Sequence, residues 1–167
     1  MSMFETVVSV LEPWKDLYSG STPLSVSLTF AHLGSMMVGG GMAIAADRTV
    51  LKAGRITEPT AILALADAVG DVHRPVVIAL VVSAISGSLQ LAADVETFAV
   101  SKVMWVKLGL LLLLAVNGFL MLRDEKAVRR GNGNGSAKAL GALRVRAVTS
   151  VVLWLAITLA GVGLMQG

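Results

Sequence analysis

The chain has 167 residues, of which 55% are hydrophobic and only 15% charged; its mean hydropathy is +0.77, its net charge +3, and it holds no cysteine. Soluble domains carry nearer ~25% charged residues, so this composition excludes an ordinary soluble globule, and the missing cysteine excludes a disulfide framework, a thiolate metal centre and a thiol nucleophile. The basic balance does not imply nucleic acid, because the lysines and arginines sit in short segments flanking apolar runs, where they set membrane orientation.

Residues 1–22 form a first unit. Ser2 and Glu5 have the spacing of a capping box, and Phe4, Val7, Val8, Leu11 and Trp14 recur at helical intervals against Glu5, Ser9, Glu12 and Lys15. The pattern predicts an amphipathic helix lying in the membrane interface, broken into two short pieces at Pro13, with Trp14 and Tyr18 at headgroup level. Glu5 and Glu12 stand where a signal peptide would be basic, so no cleaved leader is expected. The run Ser19-Gly20-Ser21-Thr22-Pro23 turns the chain towards the bilayer.

Residues 23–167 read as a four-span membrane domain. Leu24 to Ala46 contains no formal charge and, at ~1.5 Å per residue, reaches ~34 Å, enough to cross a hydrocarbon core. A short surface helix is expected after Thr57, Glu58 and Pro59, and a second span at about 75–93 with Pro75 at its first turn. The third span covers about 103–122 and the fourth about 145–165, separated by a segment whose Gly131-Asn132-Gly133-Asn134-Gly135-Ser136 has the composition of a flexible loop. The expected fold class is therefore an all-α integral membrane four-helix bundle with an N-terminal interfacial helix.

Four spans put both termini on one side. The segments after the first and third spans hold Arg48, Lys52, Arg55, Arg74, Arg123, Lys126, Arg129, Arg130, Lys138, Arg144 and Arg146, against Lys15, Lys102 and Lys107 on the other side. By the positive-inside rule those segments are cytoplasmic and both termini periplasmic, in a bacterial inner membrane.

On the first span Ala31, Ser35, Gly39 and Ala43 recur every fourth residue, and Gly40 and Gly41 widen the row; on the second, Ala79, Ser83 and Gly87 repeat the device. Such rows let helices approach closely, and the two are expected to face each other; the alternative use of the triple glycine is room for a flat cofactor or a lipid tail. His32 lies about 12 Å down the first span, and Met36 is one turn further on the same face. An imidazole and a thioether could ligate haem iron or Cu(I), with Met37 and Met42 adding sulfur nearby; the alternative is a neutral histidine donating a hydrogen bond to another helix. His73 precedes the second span at the opposite surface, too far from His32 to share one metal, and is expected to be interfacial or capping. Lys107 is expected to snorkel or to pair with Asp94 or Glu96. Asn117, Ser83, Ser86 and Gln90 are intramembrane polar groups suited to bonds between helices. No Asp or Glu falls within the four spans, which argues against a proton-driven transporter, and no catalytic motif is present.

The stretch FAHLGSMMVGGGMAIAADRTVL resembles the first-span pattern of an uncharacterised bacterial four-span inner-membrane family, in which a histidine and glycine open the helix and Asp-Arg follows it. SGSLQLAADVETFAVSKVMWVKLGLLLLLAVNG is similar to that family's second-to-third span, with Lys107 and Asn117 at matching positions; the two stretches cover about a third of the chain. The family often ends its third span in a histidine, whereas this chain has Met121, Leu122 and Arg123 there. There is a looser similarity to copper-resistance D-type and cytochrome-b-like membrane domains, which set histidines in four-helix bundles. Two functional readings follow. One is a non-enzymatic accessory or packing subunit, with the lipid bilayer, further membrane subunits or a second copy of the chain as partners. The other is a redox protein binding haem b or copper at His32 and Met36.

Overall fold

The computed structural model describes residues 3–52, 58–130 and 134–164, with the side chains of residues 59 and 134–138 left aside. Ser2, Arg55, Thr57, Gly131, Asn132, Gly133 and Met165, which enter the sequence expectations, lie outside the described residues. Six helices follow in order: α1 (Met3–Gly20), α2 (Thr22–Lys52), α3 (Pro59–Ala93), α4 (Val95–Val100), α5 (Lys102–Arg130) and α6 (Asn134–Leu164). Four of them, α2, α3, α5 and α6, are long and apolar enough to cross a membrane, and the protein is an all-α, polytopic membrane four-helix bundle. Its outer face is apolar: Phe30, Met37, Leu112 and Leu159 are among many large hydrophobic side chains left exposed. In water that would be a liability; in a bilayer, lipid covers them.

The helices outrun the apolar spans that hydropathy marks. With 35 residues α3 extends ~52 Å, against ~30 Å of hydrocarbon. The expected surface helix after Glu58 is the first part of α3, which runs unbroken through Pro75. Pro59, not Pro75, holds the first helical position, where a missing N–H costs least. Pro75 leaves the carbonyl of Asp71 without its helical donor, and Asp71 is exposed, so water can take that place. The same reasoning explains α1, which is one continuous helix and not two pieces: Pro13 frees the carbonyl of exposed Ser9.

The overrunning ends pack on one another. Val50, Leu65, Val69, Met121, Leu140, Leu143 and Ala147 form a core at the end of the bundle where the charged segments lie, with Ile62 against it. A second core of Leu114, Leu153, Trp154 and Ile157 lies deeper in the bundle, flanked by Met36, Ala43, Ile44, Val76, Leu80, Leu110 and Leu111. At the opposite end α1 lies against α3, where the Trp14 indole donates to the Leu89 carbonyl at 2.9 Å and Lys15 pairs with Glu96 at 2.8 Å. That hydrogen bond and the Glu96 charge hold the Lys15 ammonium above its ordinary pKa.

Within the bundle α2 packs on α3 and α6, and α5 packs on α6, whereas α3 and α5 meet over much less of their length. The α2 glycines set this arrangement. A Cβ on Gly39 would come 2.8 Å from the Ala79 Cβ of α3, and one on Gly40 would come 3.0 Å from the Trp154 ring of α6. Gly41 faces open space. Gly39→Ala is therefore expected to destabilise the protein by about 1–3 kcal/mol, because a backbone-anchored atom must be displaced. Gly41→Ala should be neutral or slightly stabilising. Thermal unfolding of both variants in mild detergent, compared with the parent, checks the contrast.

Candidate functional site: a cleft with a polar floor

Because α3 and α5 diverge, a cavity of about 470 Å³ opens between them. Its walls are Val69, Val72, Val76, Val77, Leu80, Val81 and Ala84 of α3 and Leu114, Ala115, Gly118, Phe119, Met121 and Leu122 of α5. Its floor comes from the two helices behind: Ala43, Ala46 and Asp47 of α2, and Ser150 and Trp154 of α6. His73 and Asn117 complete the lining. The surface is overwhelmingly apolar, with four polar side chains converging on it from four different helices. That is the usual make-up of a small-molecule site, and the volume falls in the usual range of ~300–1,000 Å³.

The polar groups are incompletely partnered. Asp47 is 2% exposed, Ser150 of α6 lines the same cleft, and Asp47 Oδ2 has no partner. Asn117 is 4% exposed; its amide nitrogen donates to the Arg146 carbonyl at 3.0 Å, and its Oδ1 has no partner. Only the nitrogen can donate to a carbonyl, which fixes the amide orientation and makes the free atom an acceptor. Two residues of the cleft lining thus each carry a buried oxygen without a hydrogen-bond partner.

An ionic clasp closes the cleft where α3 and α5 do meet. Arg129 of α5 donates to Asp67, to the Ala66 carbonyl at 3.1 Å and to Glu125 at 2.9–3.0 Å. The Glu125 side chain is only 7% exposed. Gly70 makes the room: a Cβ there would lie 2.7 Å from Arg129 Nη2 and 2.8 Å from Glu125 Oε1.

The residues singled out from sequence are distributed along the α2–α3 seam. The Nδ1 of His32 lies 2.9 Å from the Ser83 carbonyl, with the Ser83 and Ser86 hydroxyls at 3.3 and 3.4 Å. A carbonyl only accepts, so Nδ1 carries the proton and the lone pair is on Nε2. The ring rests on Gly87, where an added Cβ would come 2.8 Å from Cε1. Gln90 donates to the Leu28 carbonyl at 3.1 Å, and the Ser35 hydroxyl bonds back to the His32 carbonyl at 3.0 Å. Met36, by contrast, packs on the Leu114 and Trp154 cluster of α5 and α6. The two proposed ligands thus engage different neighbours. Among the described residues no group of three or more His, Asp or Glu side chains could hold a metal ion.

Two expectations change, those for His73 and for the interior carboxylates, and Lys107 is found beside α6. His73 is not at a helix start; it lies inside α3 and lines the cleft, ten residues or ~15 Å along the helix from the Ser83 that His32 touches. Lys107 faces α6, its Nζ 3.7 Å from where a Gly161 Cβ would be; Glu96 is paired with Lys15, and Asp94 accepts from the Thr97 N–H at the start of α4. The bundle interior does hold carboxylates, Asp47 and Glu125, because the helices continue past the apolar spans. Asp47 was concealed by its place beside Arg48 at the end of an apolar run. The signal that could have found it is its spacing: seven residues, two turns, after Gly40, on the stripe that also holds Ala43 and buried Val50.

Comparison with protein-family models, curated proteins and solved structures gives no match to this chain. The site stands on its own geometry. Arg129→Ala should destabilise the protein by about 1–3 kcal/mol, since it leaves the buried Glu125 carboxylate without its donor. Adding Glu125→Leu should recover more than half of that loss, because the uncompensated charge is gone. Denaturation of the single and double variants in the same detergent measures both.

Proposed function

We propose that this chain is a non-enzymatic accessory subunit of a larger membrane assembly, seated in a bacterial inner membrane with both termini periplasmic. The observation that carries the reading is where its polar side chains are spent. Trp14, His32, Gln90 and Asn117 each bond to a backbone carbonyl of another helix, and Arg129 ties α5 to α3. Each such tie is worth little alone, ~1 kcal/mol, but together they fix one helix arrangement rather than poise groups for turnover. The distribution of Lys and Arg supports the orientation, and the resemblance to four-span inner-membrane proteins supports the location.

The outer face supplies a means of association. Gly41 and Ala45 are exposed on α2 beside Met37 and Val38, and among the described residues no other helix lies within 4 Å of a Cβ at Gly41. A neighbouring helix, from another subunit or a second copy, could approach closely there. Tagged protein extracted from its native membrane in mild detergent should carry a stoichiometric partner, and Gly41→Leu should remove that partner without lowering the unfolding temperature. Recovery of the parent chain alone, with lipid only, contradicts the reading.

A second reading rests on His32. Its Nδ1–H bond to the Ser83 carbonyl keeps Nε2 as the nitrogen with a lone pair, an arrangement that orients metal-ligating histidines. Under that reading the chain binds haem b or copper, and Soret absorbance or bound copper in the purified protein would be lost in His32→Ala.

A further inference from the structure

We infer that the cleft between α3 and α5 binds an anionic glycerophospholipid of the surrounding bilayer, one acyl chain lying along the apolar walls and the phosphate held between Arg74 of α3 and Lys126 of α5. The site lies apart from the outer α2 face and from the His32 seam, so it rests on neither functional reading above.

Helix register places the two cations at the mouth. A Cβ on Gly70 would come 2.8 Å from Glu125 Oε1, and Arg129 reaches the Ala66 carbonyl at 3.1 Å, so α3 and α5 run antiparallel with 125 opposite 70 and 129 opposite 66. Lys126 is then level with Val69 and Arg74 with Met121, ~7.5 Å apart along the axes, which two long side chains can span. Two turns separate Arg74 from Val81 and Lys126 from Phe119, the exposed rims of the cleft, so each cation continues a face that lines it. Both cations are exposed, and among the described residues neither has a hydrogen bond or an ion pair. The carboxylates nearby are engaged elsewhere: Arg129 takes Asp67 and Glu125, and Arg146 takes Asp124 at 3.6 Å. Asp71 stands one turn before Arg74 without pairing with it, and the exposed Arg123 and Arg130 of α5 outweigh its charge.

The cleft has the length of one lipid chain. From Arg74 to Ala84, the last α3 residue of its lining, is ten residues or ~15 Å, which is half of a ~30 Å hydrocarbon core and so the depth of one leaflet. Its walls are apolar throughout that depth, and a Cβ on Gly118 in its lining would meet nothing within 4 Å. His73, next to Arg74, is the half-buried polar group of the lining at the head-group end; it lies in the field of Glu125 and has no hydrogen bond among the described residues. An imidazole N–H there can donate to an ester carbonyl just below the phosphate. The unpartnered oxygens of Asp47 and Asn117 are enclosed in the floor and take no part. A cationic head group would be repelled by Arg74 and Lys126, and a choline lipid brings its own cation. An anionic lipid brings charge that is not compensated, and basic pockets between spanning helices favour such head groups by about fivefold per cation.

The test uses the full chain with Trp14→Phe and Trp105→Phe, leaving Trp154, buried in the cleft floor, as the one tryptophan. It is placed in phosphatidylcholine nanodiscs, and phosphatidylglycerol with brominated acyl chains, which quench an indole at short range, is titrated in; brominated phosphatidylcholine in matching discs is the reference. The anionic lipid should reach half-maximal quenching at about one-twentieth of the mole fraction that the reference needs. Arg74→Gln and Lys126→Gln, both at exposed positions, should each reduce that preference about fivefold and together abolish it. Lys102→Gln, at the opposite end of α5, should leave it unchanged. Gly118→Leu, which fills the open space of the cleft, should remove quenching by either lipid. Equal half-points for the two lipids would mean that the head group is not recognised, and no quenching by either would mean that no lipid chain enters the cleft. Each of those results, or a preference that survives the double variant, overturns the proposal.

Discussion

The arrangement of the whole bundle follows from how closely α2 can be approached. Two adjacent glycines face two different neighbours: Gly39 lets α3 in against Ala79, and Gly40 lets the indole of Trp154 on α6 lie against the α2 backbone. Inside a bilayer apolar contact with lipid is as good as apolar contact with protein, so helix association depends on tight packing and on polar ties between backbones. By seating α3 on one side and α6 on the other, α2 takes a central position that it shares with α6. α5 then packs on α6, and the remaining pair, α3 and α5, is left apart.

That separation is what creates a site. Because α3 and α5 stay apart, Asp47 and Asn117 border an open cleft and are not enclosed on every side by packed helices. Their unpartnered oxygens are buried at its lining. The clasp of Arg129 with Asp67 and Glu125 limits the opening at one end, and the seam of His32, Ser83 and Gln90 holds α3 to α2 along its other half. The same few polar residues therefore fix the bundle and bound the cavity.

The sequence reveals the four apolar helices and the small-residue rows well, because uncharged length and four-residue periodicity are local signals. Gly39 and Ala79, one residue of each row, come together, and His32, which belongs to neither row, lies against Ser83 and Gly87. What was not legible lies at the charged end. There Arg, Asp and Glu interrupt the hydropathy at 47–52, 67–74, 123–130 and 144–146, and they read as loop boundaries. The structure instead continues the helices and gives them their own core around Val50, Leu143 and Ala147. His73 accordingly reads as interfacial or capping and Asp47 only as part of the Asp-Arg after the first span, and the cleft they share with Asn117 and Ser150 is not legible, since it draws one polar residue from each of four helices.

The register of α2 on α3 is the most direct point at which to test this account, and the chain's lack of native cysteine makes a disulfide scan clean. Oxidation in native membranes should join Gly39→Cys to Ala79→Cys, whose Cβ atoms are brought together closely enough for a bridge after a small adjustment. Gly41→Cys, which points away from α3, should not join to Ala79→Cys. Crosslinking of the Gly41 pair, or failure of the Gly39 pair, would contradict a central α2 and with it the cleft between α3 and α5.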